Sequence, residues 1–250
     1  MGRVFCYTRV PAAQPPTHIS HGNNRFILRS VEMKSKSSMC SYCSKKTCFN
    51  GDLSNPPEFC PSIQYSDLLR QAKDTLHRAD NQRMAQDVAR TWKEYGKLTR
   101  VEETVEYARL QGHKKIGLAF CVGLSEEARL FTNVLLNAGF DVASVCCMCG
   151  ALSADDVSLP DADKIVPGFR QPMCNPIGQA AIMDAEGCDL IVLLGLCVGD
   201  DTLFIKHAKA PVTVLAVKDR VLAHNPLGAL YTARHIYTRI NTRPPKDADK

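Results

Sequence analysis

Two sets of cysteines carry the chemistry this sequence offers. The first is Cys40-Ser-Tyr-Cys43-Ser-Lys-Lys-Thr-Cys48, followed after eleven residues by Cys60-Pro61. A C-x2-C pair lets two thiolates reach one ion, as in zinc knuckles and ribbons. The same run, C-x2-C-x4-C with a final Cys-Pro, also fits ligation of an iron–sulfur cluster. Asn50-Gly51-Asp52 and Asn55-Pro56-Pro57 are turn chemistry, and little apolar content surrounds them. Such a segment cannot pack a core of its own. Metal bound by Cys40, Cys43, Cys48 and Cys60 would fold it, because binding free energy then serves as folding free energy. The expected cofactor is zinc or an iron–sulfur cluster, and the spacing does not choose between them.

The second set is scattered: Cys121, Cys146, Cys147, Cys149, Cys174 and Cys197, with His224. Leu190 to Leu196 is apolar but for one glycine, which fits a strand buried on both faces of a parallel sheet. Cys197-Val-Gly199 ends it, and Asp200 and Asp201 are placed to cap the helix that follows. Cys121-Val-Gly123 repeats the first of these motifs. Cys174-Asn-Pro-Ile-Gly178 and His224-Asn-Pro-Leu-Gly228 form a second repeated pair, each reading as an Asn cap with Pro at the first helical position. Order and identities suggest a duplicated unit. Helix amino-ends carry positive potential, so a thiol just before the cap is expected to be pushed toward thiolate.

These residues need a scaffold that gathers them. Ser66 to about Gly112 has helical spacing, with Thr99-Arg-Val-Glu102 as a capping box opening the third helix. Strand and helix then alternate: a strand at 115–121, a helix at 125–137, a strand at 140–147 and an acidic excursion over 150–174. A helix at 176–186, the Asp189–Leu196 strand, a helix at 201–208, a strand at 212–217 and a last helix at 226–239 complete the chain. The predicted fold class is α/β: a four-stranded parallel, flavodoxin/Rossmann-like sheet with flanking helices, preceded by a four-cysteine metal-binding loop and a helical segment. In the common 2-1-3-4 order the first and third strands are neighbours, and ligands sit at the carboxyl ends of such strands. Cys121 and Cys197 then face one crevice, Cys174 and His224 enter from adjoining loops, and Cys146, Cys147 and Cys149 stand at its rim. Cys188 falls at the amino end of its strand, on the wrong side.

Composition narrows the function classes. The 250 residues are 45% hydrophobic and 23% charged, an ordinary globular mixture, with no apolar run near the roughly 20 residues of a membrane span. The first 39 residues hold six basic groups against one acidic group, so the whole net charge of +5 sits there. The neutral remainder argues against nucleic-acid binding. Residues 1–39, with Cys6, read as a disordered basic extension, an organellar transit peptide being the other reading. Residues 40–112 read as the metal loop plus helices, 113–240 as the α/β domain and 241–250 as a tail. Twelve cysteines without a secretory signal point to metal or redox use in a reducing compartment, the cytoplasm. No G-x-G-x-x-G, Walker or G-x-S-x-G pattern is present, and Asp200-Asp201 would repel a phosphate at that helix start. Asp155, Asp156, Asp161 and Asp163 read as a solvated loop.

The cysteine opening, GLAFC (117–121), SVCC (144–147), MCNPIGQA (173–180), GLCVGDD (195–201) and KAPVTVLAVKDRVLAHNPLGALY (209–231) together resemble an uncharacterised prokaryotic family described only as metal-binding proteins. The resemblance runs from about Cys40 to Tyr237. It implies metal binding through the cysteines in a cytoplasmic protein. It departs at Asp200, where the family more often carries His. The expected function is a cysteine-ligated metal protein, redox-active at the crevice if clusters are bound, with a small molecule or a redox partner protein as its counterpart. The alternatives are a thiol redox or sulfur-handling enzyme, using Cys146-Cys147 or Cys121 with Cys197, and a zinc-stabilised protein-binding module. No residue is assigned a catalytic role.

Overall fold

A computed structural model describes residues 37–241. Cys6, the rest of the basic segment and the last nine positions fall outside these described residues. The chain divides into two compact units at Lys73/Asp74.

In the first unit, no residue from 37 to 73 is buried. Short turns dominate: one-turn 3-10 segments at Cys40–Tyr42 and Thr47–Asn50, then α1 (Pro61–Gln64), whose amino end is set by Cys60 with Pro61 at the first position. Helix α2 (Ser66–Leu76) runs across the boundary, and Leu68, Leu69 and Leu76 on it are exposed.

The second unit begins with α3 (Ala79–Thr91) and α4 (Arg100–Gln111). The capping box at the start of α4 forms as the sequence requires, with Thr99 and Glu102 satisfying each other's backbone N–H. Asp87 on α3 is wholly buried, pairs with Arg90 and Arg83, and accepts from Gln111 Nε2 at the end of α4. Both guanidiniums are more than half exposed. Asp87→Ala is therefore expected to cost about 2–4 kcal/mol, at the low side for a buried ionic group because the abandoned cations reach water. Urea unfolding at neutral pH measures it, and a cost under about 0.5 kcal/mol contradicts the network.

Strands β1 (Lys115–Phe120), β2 (Asp141–Cys146), β3 (Leu190–Leu196) and β4 (Val212–Val217) form one parallel sheet in the order β2-β1-β3-β4. The fold is the predicted one, α/β with helices on both faces. Every residue of β3 is buried, as its apolar run demands. Ile116, Leu118, Leu190, Val192 and Leu194 pack with α4 and with Ala128, Phe131 and Leu135 of α5 (Ser125–Asn137). Ala119, Ile191 and Leu193 pack on the other face with Ala180 and Met183 of α6 (Pro176–Ala185) and Phe204 of α7 (Asp200–His207). On that second face, a Cβ at Gly117 would stand 2.7 Å from Met183 Sδ, so glycine is what lets α6 approach β1.

Two expectations are corrected. The last helix is α8 (Leu227–Tyr231), five residues rather than 226–239. Leu227, Leu230, Tyr231 and Ile236 are exposed and only Ala233 is buried, so no packed face sustains a longer helix. The two Asn-Pro motifs also differ: Asn175 Oδ1 accepts from Gly178 N at 2.8 Å, whereas Asn225 makes no side-chain cap. The acidic excursion is a solvated loop, in which Asp155 and Asp161 pair with Lys164 and Asp156 bonds Ser153. No helix among the described residues is long and apolar enough to cross a membrane.

Candidate functional site

β1 stops one residue before Cys121, β2 ends on Cys146, and β3 stops one residue before Cys197, so three strand ends deliver sulfur to one edge of the sheet. β3 is distorted there. Its pairing with β4 shifts register on either side of Leu194, and the second shift passes over Gly195, whose φ is +69°. A bulge of this kind re-aims the chain at the end of a strand.

Cys121 and Cys147 are buried, while Cys146, Cys149, Cys174 and Cys197 are partly open. Val122 N donates to Cys147 Sγ at 3.4 Å, joining the first CVG turn to the loop after β2. Cys174 stands beside Cys147 and the Asp200 carboxylate, close enough for each to act on its thiol. Arg220 Nη2 donates to Cys197 Sγ at 3.4 Å and stands within electrostatic reach of Cys121 and Cys174. Asn175 holds the loop after β2 in place: its N–H donates to Cys147 O at 2.7 Å and its Nδ2 to Cys149 O at 3.2 Å. Beneath them, Gln179 Nε2 donates to Val145 O and Phe120 O, leaving its buried Oε1 without a partner.

The sheet edge thus gathers Cys121, Cys147, Cys174 and Cys197, with Cys146 beside Cys147 and Cys149 beside Cys146 at the rim. His224 is held by its own loop, its Nδ1 accepting from Asp219 N at 3.1 Å. In the first unit, Cys43 Sγ accepts from Lys46 N at 3.4 Å, with Lys46 in the left-handed conformation. Cys40 and Cys48 are exposed, and Cys43 and Cys60 partly so. Among the described residues no three His, Cys, Asp or Glu side chains stand grouped as the ligands of one metal ion. The donor types suit a soft metal; drawing the sulfurs around it is left to binding.

Residues 60–215 match a family described as proteins of unknown function, DUF1847. The chain belongs to that family. An uncharacterised protein of Methanocaldococcus jannaschii is 40% identical over 201 residues, 79% of this chain and 95% of its own length. The DUF1847 match takes in the whole thiol crevice up to Cys197, whereas Cys40, Cys43 and Cys48 precede it.

Electrostatics at the crevice correct one expectation. Cys174 lies just before the cap of α6, yet its thiol is pushed up rather than toward thiolate. Burial is the main cause, followed by the Asp200 carboxylate and Cys147. A helix amino-end acts weakly against a buried carboxylate contact. Cys147 is pushed up to about 11, chiefly by burial and then by the charges of Cys121 and Cys146, against the Val122 N–H and Cys174. A raised acid keeps its proton in the folded state while the unfolded chain loses it, so its contribution to stability is full below the ordinary thiol value of 9.0 and is lost up to about 11. Cys147 alone is therefore expected to take roughly 2–3 kcal/mol from the metal-free protein between those limits, and Cys174, Cys149 and Cys188, also raised by burial, add to the loss. Urea midpoints at the two pH values check this, and Cys147→Ala should make the dependence shallower without abolishing it.

Three residues of the site carry no mark in the sequence: Arg220, Lys218 and Asp200 as a partner of Cys174. Nothing in the spacing distinguishes a lysine and an arginine after β4. Only the β3–β4 pairing sets them beside the end of β3, where Lys218 N donates to Leu196 O at 3.0 Å.

Proposed function

We propose that this is a cysteine-ligated metal-binding protein, with the crevice thiols as its principal site and the amino-terminal cysteine loop as a second. One observation carries it: Cys121, Cys147, Cys174 and Cys197 meet with Asp200 at one sheet edge although they are spread over 77 positions of chain. Burial, and after it the neighbouring acidic groups, push the Cys147 and Cys174 thiols toward the protonated form, and a bound cation relieves the second of these effects. The Arg220 guanidinium offsets part of the negative charge that several thiolates around a metal would leave. Among the described residues of the first unit none is buried, so little besides ligation would order the loop. The Lys46 N–H on Cys43 sulfur is the kind of backbone contact that orients a thiolate ligand. Zinc there would be structural, since four protein ligands leave no open position.

Metal analysis of protein purified without exposure to air tests the reading. Bound zinc, or iron with acid-labile sulfide, is expected, and protein free of both overturns it. A second reading rests on the nearness of the Cys147 and Cys174 thiols, which act on each other's protonation. A small-molecule disulfide would oxidise them, the protein S–S bond forming as the reagent's S–S bond breaks and two small thiols leave with the two protons. A fall of two in the thiol count after such treatment, lost in Cys147→Ala, favours this reading.

A further inference from the structure

Between the ends of β3 and β4 lie two cations, of which only Arg220 is bonded to a thiol. Lys218 Nζ would stand 3.6 Å from a Cβ at Gly123 and 3.8 Å from one at Gly195, so it occupies the space that these two glycines leave open. Gly123 closes the first CVG turn, and Cys121 Sγ would lie 3.9 Å from that same Cβ. Arg220 approaches from the next turn of the loop, bonded to Cys197. Among the described residues neither Lys218 nor Arg220 is paired with a carboxylate.

The acids nearby are engaged elsewhere. Asp219, between the two cations in sequence, turns its carboxylate to the N–H groups of Val221 and Leu222, at 3.0 and 2.8 Å. Asp201 accepts from the N–H groups of Gly199 and Thr202, at 3.1 and 2.7 Å. Asp200 stands beside Cys174. Lys218 is only partly exposed and has no carboxylate partner among the described residues, so an anion placed at its Nζ would complete it. Val122, Val198 and Val221, from the three turns that surround the thiols, are all exposed and supply an apolar rim suited to the body of a small molecule.

We propose that the crevice binds a small anionic ligand, a carboxylate or an oxyanion, held by Lys218 and Arg220 with its uncharged end toward Cys197. This deepens the reading of the crevice as a ligand site by naming its substrate class. It does not depend on which metal, if any, the thiols hold. Phosphate at the helix start, which Asp200 and Asp201 disfavour, is a different position from the β4 side, where both cations lie.

The test compares two alkylating probes of like size, iodoacetate and iodoacetamide, on the full chain, reduced and stripped with a chelator. Modification of Cys197 is followed peptide by peptide. The ratio of the two rates cancels the reactivity of the sulfur itself, and the same ratio in urea-unfolded chain removes the intrinsic difference between reagents. Folded protein is expected to favour iodoacetate about tenfold over that reference, a modest Coulomb effect of one or two close cations. The preference should vanish in Lys218→Gln with Arg220→Gln. Competition by sulfate but not acetate would assign an oxyanion, and the reverse a carboxylate. A folded ratio equal to the unfolded one, or a preference that persists in the double variant, overturns the proposal. Metal content of the untreated preparation is measured alongside. Its absence would sink the metal reading and leave this one standing, while a flat ratio in a metal-loaded preparation would do the opposite.

Discussion

Gly195→Ala is expected to lower the stability of the sheet unit by about 2–5 kcal/mol and to disorganise the crevice. Two costs combine. The residue holds φ at +69°, where a Cβ costs roughly 1–2 kcal/mol. The added methyl would also overlap Leu124 Cδ1, a buried core atom, and overpacking of this kind costs typically about 1–3 kcal/mol. It would crowd Lys218 as well. The position lies where the β3–β4 register slips, so the backbone cannot relax without re-aiming Cys197. Urea unfolding measures the first effect, and the alkylation ratio at Cys197 measures the second. Adding Leu124→Ala should return part of the overlap cost while leaving the φ cost, a non-additivity that a double-mutant cycle reads directly. A fully additive pair would contradict the assigned contact.

On the proposed metal-binding reading, Cys174→Ala is expected to abolish metal binding at the crevice and leave binding at the amino-terminal loop. Cys174 joins Cys147 to Asp200 in the cluster, so its loss opens the set at its middle. The fold should survive. The lost contacts involve a partly exposed thiol kept neutral at ordinary pH, so the stability change should stay within about 1–2 kcal/mol. Metal stoichiometry should fall by the crevice's share, with the remainder released only by Cys40→Ala or Cys43→Ala. Equal metal content in parent and Cys174→Ala would refute the crevice assignment. Loss of all metal would instead mean that the two cysteine sets act as one.

Sequence patterns carry the architecture well for identifiable reasons. The uninterrupted run Leu190–Leu196 has one stable environment, a strand covered on both faces, and short strand–helix connections leave a parallel sheet as the compact solution. The capping box at Thr99 and the Asn175 cap are legible because each is satisfied within four residues. The closing helix falls short of its predicted length because its apolar spacing exists without a surface to pack on. The motif likeness of Cys174 and His224 does not extend to their surroundings: Cys174 stands beside Cys147 and Asp200, while His224 Nδ1 accepts from Asp219 N in its own loop.

What the sequence determined by itself was the set of donor groups, their places at strand ends and helix starts, and the topology that gathers them. Those follow from local rules of periodicity, capping and turn chemistry. Only the tertiary structure decided which sulfurs touch, that burial and Asp200 keep Cys174 protonated, and that Lys218 fills the room left by Gly123 and Gly195. Contacts of that kind arise between segments far apart in the chain, and desolvation has no signature in local spacing.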